Sequence, residues 1–260
     1  MFKKILSYFG YLVLTAIPAA YLFYSSKLSS KEMNDLICKK INITIVDSNI
    51  NRFISCQEIV ELLKIEGITE KESKIRHINQ NELEQRLDRE TAIKHTQVYT
   101  TRSGELKIRV EQRRPVIRLQ TVNGGFYIDE TVYIFPLMKK FTSYVPIVTG
   151  SIPLNIPPGF KGMCKEEEEW GRKIKDFGIF LSDNPFWDSI IEQIDVNDKG
   201  ELILTPRIGK IEILFGKPES IEQKFKKLEA FYKKVLPVAG WESYRGVDLR
   251  FSNHIVCKKR

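Results

Sequence analysis

The chain has 260 residues, 42% of them apolar and 28% charged, a balance that fills a core and excludes bulk disorder. Its 41 basic and 33 acidic side chains leave a formal charge of +8. No Cys/His finger spacing and no aromatic-basic strand signature goes with that charge, so no nucleic-acid partner is expected.

Residues 1–4 are short and basic, and Ile5–Tyr24 then runs for twenty residues without a charge. At ~1.5 Å per residue this segment matches a hydrocarbon core of ~30 Å. Tyr8, Tyr11, Tyr21 and Tyr24 lie toward its ends, where aromatic rings favour the interface, and Lys3 and Lys4 hold the N-terminus in the cytoplasm. Pro18 is tolerated in a membrane helix. A cleaved signal peptide is the alternative, with Ala16, Ala19 and Ala20 as its small residues. Its apolar region would be about 7–15 residues long, and here apolar sequence continues for four more positions. Either reading puts the bulk of the chain outside the cytoplasm. Disulfides among Cys38, Cys56, Cys164 and Cys257 are compatible with that compartment. Cys38 and Cys56 are close enough in the expected order of elements to meet. No C-x-x-C spacing indicates a redox or zinc site.

Residues 25–40 read as a linker. Lys40–Asp47 alternates, with Ile41, Ile43 and Ile45 on one side, which predicts a half-buried strand. Ser55 and Glu58 form a capping box for a helix bearing Ile59, Leu62 and Leu63, with Gly67 as its stop. A second helix, capped by Asn81, carries Leu83 and Leu87. His95–Thr101 and Glu105–Glu111 then predict two strands joined at Ser103-Gly104. The order is strand, helix, helix, strand, strand.

Beyond Pro115 short strands recur at Val116–Val122, Gly125–Asp129, Val132–Phe135, Ile190–Val196, Glu201–Thr205, Lys210–Phe215 and Val247–Phe251. Helices are expected over Lys165–Leu181 and Pro218–Leu236. The second has Ile221, Phe225, Leu228, Tyr232 and Val235 at helical spacing and Pro218 in its first turn.

A search for chemistry comes back empty. There is no nucleophile elbow, phosphate loop, dinucleotide fingerprint or H-E-x-x-H. His77, His95 and His254 are isolated, and the Glu166–Glu169 run reads as a solvated helix start. Asp183, Asp188, Asp195 and Asp198 show no spacing that singles out an acid and a base. The Asn42-Ile43-Thr44 sequon falls inside a strand. We therefore expect no catalytic residue, no cofactor, no metal and no small-molecule substrate.

Four ordered motifs carry a family resemblance. Ile108 to Leu119, IRVEQRRPVIRL, is similar to the I-x-V-x-E-R-x-P-V-A-R signature of the FtsQ/DivIB cell-division proteins, with Gln112 where an acidic or polar residue often sits. Gly125 to Glu130, GFYIDE, resembles their G-Y-Y-I-D-E segment, although Thr131-Val132-Tyr133 replaces the glycine turn. Val145 to Gly150, VPIVTG, resembles L-P-x-L-x-G. Val247 to Phe251, VDLRF, resembles V-D-L-R-Y. The whole chain looks most like the form found in Bacteroidetes.

The resemblance implies an α+β protein: a single N-terminal transmembrane helix over residues 5–24, a POTRA domain (βααββ) over 41–114, then a mostly antiparallel β domain with flanking helices over 115–260. It implies a non-enzymatic bitopic divisome scaffold in the cell inner membrane at the septum, with its bulk periplasmic. Its partners would be FtsB-like and FtsL-like proteins, through which it links septal assembly to peptidoglycan synthesis. In the family the last strands accept a partner strand, which carries over to Phe251, Ser252, Asn253, His254, Ile255, Val256 and Cys257. A short apolar strand at a sheet edge supports that reading independently, because its free N–H and C=O groups recruit another strand. Completion of the core by Ile255 and Val256 is the alternative for those residues. A POTRA-bearing transport or assembly chaperone, and an envelope enzyme acting on peptidoglycan, are the competing functions.

Overall fold

The computed structural model describes residues 36–164, 169–208 and 211–260, together with Ile17, Pro18, Ala20, Tyr21 and Phe23, which are helical. The rest of the apolar segment 5–24 lies outside the described residues, as do the start of the helix expected from Lys165 and most of the Glu166–Glu169 run. Among the described residues no helix is long and apolar enough to cross a membrane. The chain divides into two compact units, Met1–Gln112 and Arg113–Arg260.

The first unit is built on a three-stranded sheet in the order β1-β3-β2: β1 (Lys40–Ile45), β2 (Ile93–Thr100) and β3 (Glu105–Gln112). β1 runs parallel to β3 and β2 antiparallel to it. Two helices, α1 (Cys56–Ile65) and α2 (Gln80–Asp88), bury Ile59, Leu63, Leu83 and Leu87 against Leu106, Ile108 and Val110. The capping box forms as expected: Ser55 Oγ accepts from Glu58 N and the Glu58 carboxylate accepts from Ser55 N. The second helix is capped by Asn79, whose Oδ1 accepts from Glu82 N, so Asn81 lies inside α2. β1 stops before Asp47 because the Asp47 carbonyl turns the chain, accepting from both Ile50 N and Asn51 N at 3.0 Å. Gln112 is buried beside that turn. Its amide accepts from Ile54 N at 3.0 Å and donates to Asn51 O at 2.7 Å.

Among the described residues the second unit is built on a ten-stranded mixed sheet. Its strands in chain order are β4 (Pro115–Thr121), β5 (Gly124–Asp129), β6 (Tyr133–Pro136), β7 (Ile147–Gly150), β8 (Gly162–Met163), β9 (Ile191–Val196), β10 (Leu202–Pro206), β11 (Glu212–Gly216), β12 (Tyr244–Asp248) and β13 (Val256–Lys259). They lie in the order β13-β12-β11-β10-β9-β7-β4-β5-β6-β8. The joins β4–β7, β7–β9 and β11–β12 are parallel and the rest antiparallel. Sequence alone marked no strand at Ile147–Gly150, yet this four-residue segment holds the two halves of the sheet together.

Helices cover the sheet: α3 (Glu169–Asp183), α4 (Pro185–Ile190) and α5 (Ile221–Ala230). In α3, Gly178 sits so close to β4 that an added Cβ would lie 2.6 Å from Val116 O. Phe177, Phe215, Phe225 and Trp187 interlock above the strands, with Phe180 stacked on Phe225. The helix expected from Pro218 starts at Ile221. It continues past α5 through a π turn, Phe231–Val235, into Leu236–Ala239. Leu236 N bonds Phe231 O, five residues back, and the extra residue in the turn lets both Phe231 and Tyr232 face the core.

Candidate functional site

The residues expected to take a partner strand lie around β12 and β13. β12 pairs in parallel with β11, and β13 pairs antiparallel with β12, matching Asp248 with Val256 and Val247 with Cys257. β12 ends at Asp248, earlier than the Val247–Phe251 strand expected. The Asp248 side chain causes this. Its Oδ1 accepts from Arg250 N at 3.1 Å, a local turn that draws the chain out of the ladder. Arg250 then clamps the same carboxylate, Nε to Oδ1 at 3.0 Å and Nη2 to Oδ2 at 2.7 Å. That hydrogen-bonded guanidinium holds the Asp248 carboxyl below the usual carboxylate range and is itself held more firmly protonated. Gly216 makes room for the clamp, since a Cβ there would lie 2.6 Å from Arg250 Cγ.

Phe251, Ser252, Asn253, His254 and Ile255 form the bent connection between the two strands, and only Val256 and Cys257 of the expected residues lie in β13. Lys227 on α5 steadies the start of the connection by donating to the carbonyls of Leu249 and Phe251. Phe251 is 44% exposed and stacks on His254, ring centroids 4.9 Å apart and 16° from parallel. Ile255 and Cys257 pack against the core, and burial pushes the Cys257 thiol up, whereas Val256 is exposed. The two readings of this tail thus divide between alternate residues. Lys258 and Lys259 extend the strand beyond the expected limit.

Among the described residues β13 ends the sheet and has β12 as its one strand neighbour. An extended edge of this kind, flanked by an exposed aromatic and an exposed aliphatic side chain, can add a strand by main-chain pairing and read its side chains on either face. Sequence reading missed Lys227, Gly216 and the Asp248–Arg250 clamp. The Asp-x-Arg spacing within VDLRF was the available signal for the clamp.

Two of the aspartates raised for other chemistry have structural partners. Asp195 Oδ1 accepts from Thr149 Oγ1 at 2.9 Å and Asp198 Oδ1 from Ser151 Oγ at 2.6 Å. Cys38 and Cys56 are not joined in a disulfide, so the meeting considered for them does not occur: Cys38 is buried and Cys56 exposed. A groove of about 790 Å³ on the helical layer has Phe180, Trp187 and Phe225 along it, with Asp176, Asp183 and Glu229 among its lining.

Two motifs noted separately in the sequence meet. Arg113 of the first and Asp129 of the second form an ion pair, Nη1 to Oδ2 at 2.9 Å, with 11% and 2% of their side chains exposed. The Arg113 guanidinium also lies 3.4 Å from the Tyr133 ring centroid. Asp129 Oδ1 accepts from Thr131 N, Thr131 Oγ1 and Tyr133 N and so builds the β5–β6 turn. Val132 stands at φ +66° in that turn, a left-handed conformation that favours glycine.

A small βααββ unit followed by a large mixed sheet with helices makes an α+β protein. A POTRA-like domain model matches residues 36–111. The model described as FtsQ/DivIB, C-terminal related, matches residues 114–258. The chain belongs to the FtsQ/DivIB family, a family of non-enzymatic division scaffolds. No curated protein matches it.

Proposed function

We propose that this chain is a bitopic divisome scaffold. Residues 5–24 anchor it in the inner membrane, residues 25–40 link the anchor to a POTRA domain over 41–114, and the β domain over 115–260 presents its C-terminal edge to an FtsB-like strand. FtsL-like proteins join through that complex, which connects septal assembly to peptidoglycan synthesis. The observation that carries the reading is β13, a terminal strand with a partner on one side and exposed Phe251 and Val256 beside it. Strand addition supplies affinity through main-chain hydrogen bonds and selectivity through alternate side chains. The edge extends to Lys259, so an acidic residue in the incoming strand would face Lys258 or Lys259.

The test is a binding titration of the membrane-reconstituted chain with an FtsB-like periplasmic segment. Phe251→Glu and Val256→Glu each abolish pairing while leaving the thermal unfolding midpoint in place, because both residues are exposed. Unchanged affinity in both variants sinks the edge assignment.

A further inference from the structure

Basic stretches far apart in sequence meet at one end of the second unit. The last helical turn, Leu236–Ala239, gives way to a reversal at Gly240, which stands at φ +90° and donates its N–H to Leu236 O at 2.9 Å. The apex of that reversal is apolar and open: Val238 is 88% exposed and Trp241 44%. Trp241 is held in place edge-on against Tyr232, with centroids 6.0 Å apart. Lys234 lies one helical turn before Val238 and is exposed.

The β12–β13 ladder brings the second basic run to the same place. Ser243 N donates to Gly240 O at 3.2 Å, and Ser243 O accepts from Arg260 N at 3.2 Å. Tyr244 pairs with Lys259 and Gly246 with Lys258. Lys259 and Arg260 therefore border the base of the Val238–Trp241 apex, both exposed, with Lys258 farther along the ladder beside Gly246. Of the acidic side chains near the apex in sequence, Glu229 is engaged by Lys233, which leaves Glu242 as the local counter-charge.

We propose that this apex docks on an anionic phospholipid surface, with Val238 and Trp241 entering the boundary between headgroups and acyl chains and the lysines resting on the phosphates. An indole and an aliphatic side chain at a tip ringed by cations suit that boundary, where aromatic rings favour the interface and basic residues meet anionic headgroups. An acidic polypeptide would account for the cations, but not for a valine left almost wholly in water at the apex. The proposal shares Lys259 with the β13 edge but rests on Val238 and Trp241, which strand addition does not use.

The experiment uses the full chain reconstituted in vesicles, with excess protein-free vesicles added so that near and opposing surfaces are both offered. All three tryptophans lie beyond residue 169, so fluorescence quenching by bromine-labelled acyl chains reports contact of the outer region with lipid. The part of the quenching that Trp241→Phe removes belongs to the apex. It is expected to be large with phosphatidylglycerol present, small in phosphatidylcholine alone, and lost at high salt. Each basic residue near an anionic surface strengthens binding about fivefold, so Lys234→Glu with Lys259→Glu weakens apparent vesicle affinity at least roughly twentyfold. Val238→Ser, at a fully solvated position, lowers the quenching without unfolding. Trp241-dependent quenching that is absent in both lipids, equal in both, or unchanged by the lysine reversals overturns the proposal. Capture of an acidic peptide in place of lipid does so as well. The β13 assignment is decided separately by the Phe251→Glu and Val256→Glu titrations, which alter neither Val238 nor Trp241.

Discussion

Replacing Asp129 by Asn isolates one buried charge. Oδ1 is retained, so the three hydrogen bonds that shape the β5–β6 turn persist. What changes is the atom facing Arg113: a carboxylate oxygen at 2.9 Å becomes an amide that donates toward a donor. Arg113 Nε is already buried without a hydrogen-bond partner, so the guanidinium has little left to bind. Removing one member of a buried ion pair costs about 3–5 kcal/mol. The Tyr133 ring and the 11% exposure of Arg113 place this case near the lower end, about 3 kcal/mol. For a unit of this size that is a fall of roughly 10 °C in Tm. The three tryptophans make urea unfolding followed by intrinsic fluorescence a report on this unit. Arg113→Met restores part of the loss when combined with Asp129→Asn, because it removes the stranded charge. A cost below about 1 kcal/mol for Asp129→Asn, or simple additivity in the double variant, refutes the account of the pair as buried and coupled.

Two further predictions rest on single atoms. Gly150→Ala puts a Cβ 2.3 Å from Val196 O at a residue with φ +92°, in the strand that joins the halves of the sheet. We expect about 4 kcal/mol of destabilisation, read as a lowered urea midpoint, whereas Gly159→Ala, with nothing near its Cβ, costs only its backbone strain of roughly 1 kcal/mol. Lys224 is buried, donates to Lys217 O at 2.7 Å, and has its pKa lowered by burial to about 8. Between pH 8 and the ordinary lysine range the unfolded chain holds a proton that the folded chain has lost, so stability rises with pH through that window. Lys224→Met removes this slope and raises stability at pH 7 by roughly 2 kcal/mol after allowing for solvent screening. An unaltered slope between pH 8 and 10 tells against the burial of that ammonium.

Local rules determined much of this protein. Alternation of Ile41, Ile43 and Ile45, the Ser55–Glu58 box and the Leu83/Leu87 pair depend on neighbours a few residues away, and each took the expected form within a residue or two. The four motifs were legible for the same reason, and their order identified the family. What they do physically was not legible, because that depends on residues distant in sequence. In the sequence Gln112 is only a motif position where an acidic or polar residue often sits. The fold shows that an amide is needed there, to donate to Asn51 O and accept from Ile54 N at once. The glycine closing VPIVTG is required by the approach of Val196 O, forty-six residues away. β7 was missed because four residues carry too little periodicity to announce a strand; its two parallel neighbours make it one. At the candidate edge, composition put an apolar segment near the end of the chain. Only the tertiary structure decided that Asp248 and Arg250 break it into a bent connection and a strand, which side chains face the core, and that the strand borders the sheet. A sequence records which residues can lie at an edge; which strand is left without a second neighbour is settled by how every other strand pairs.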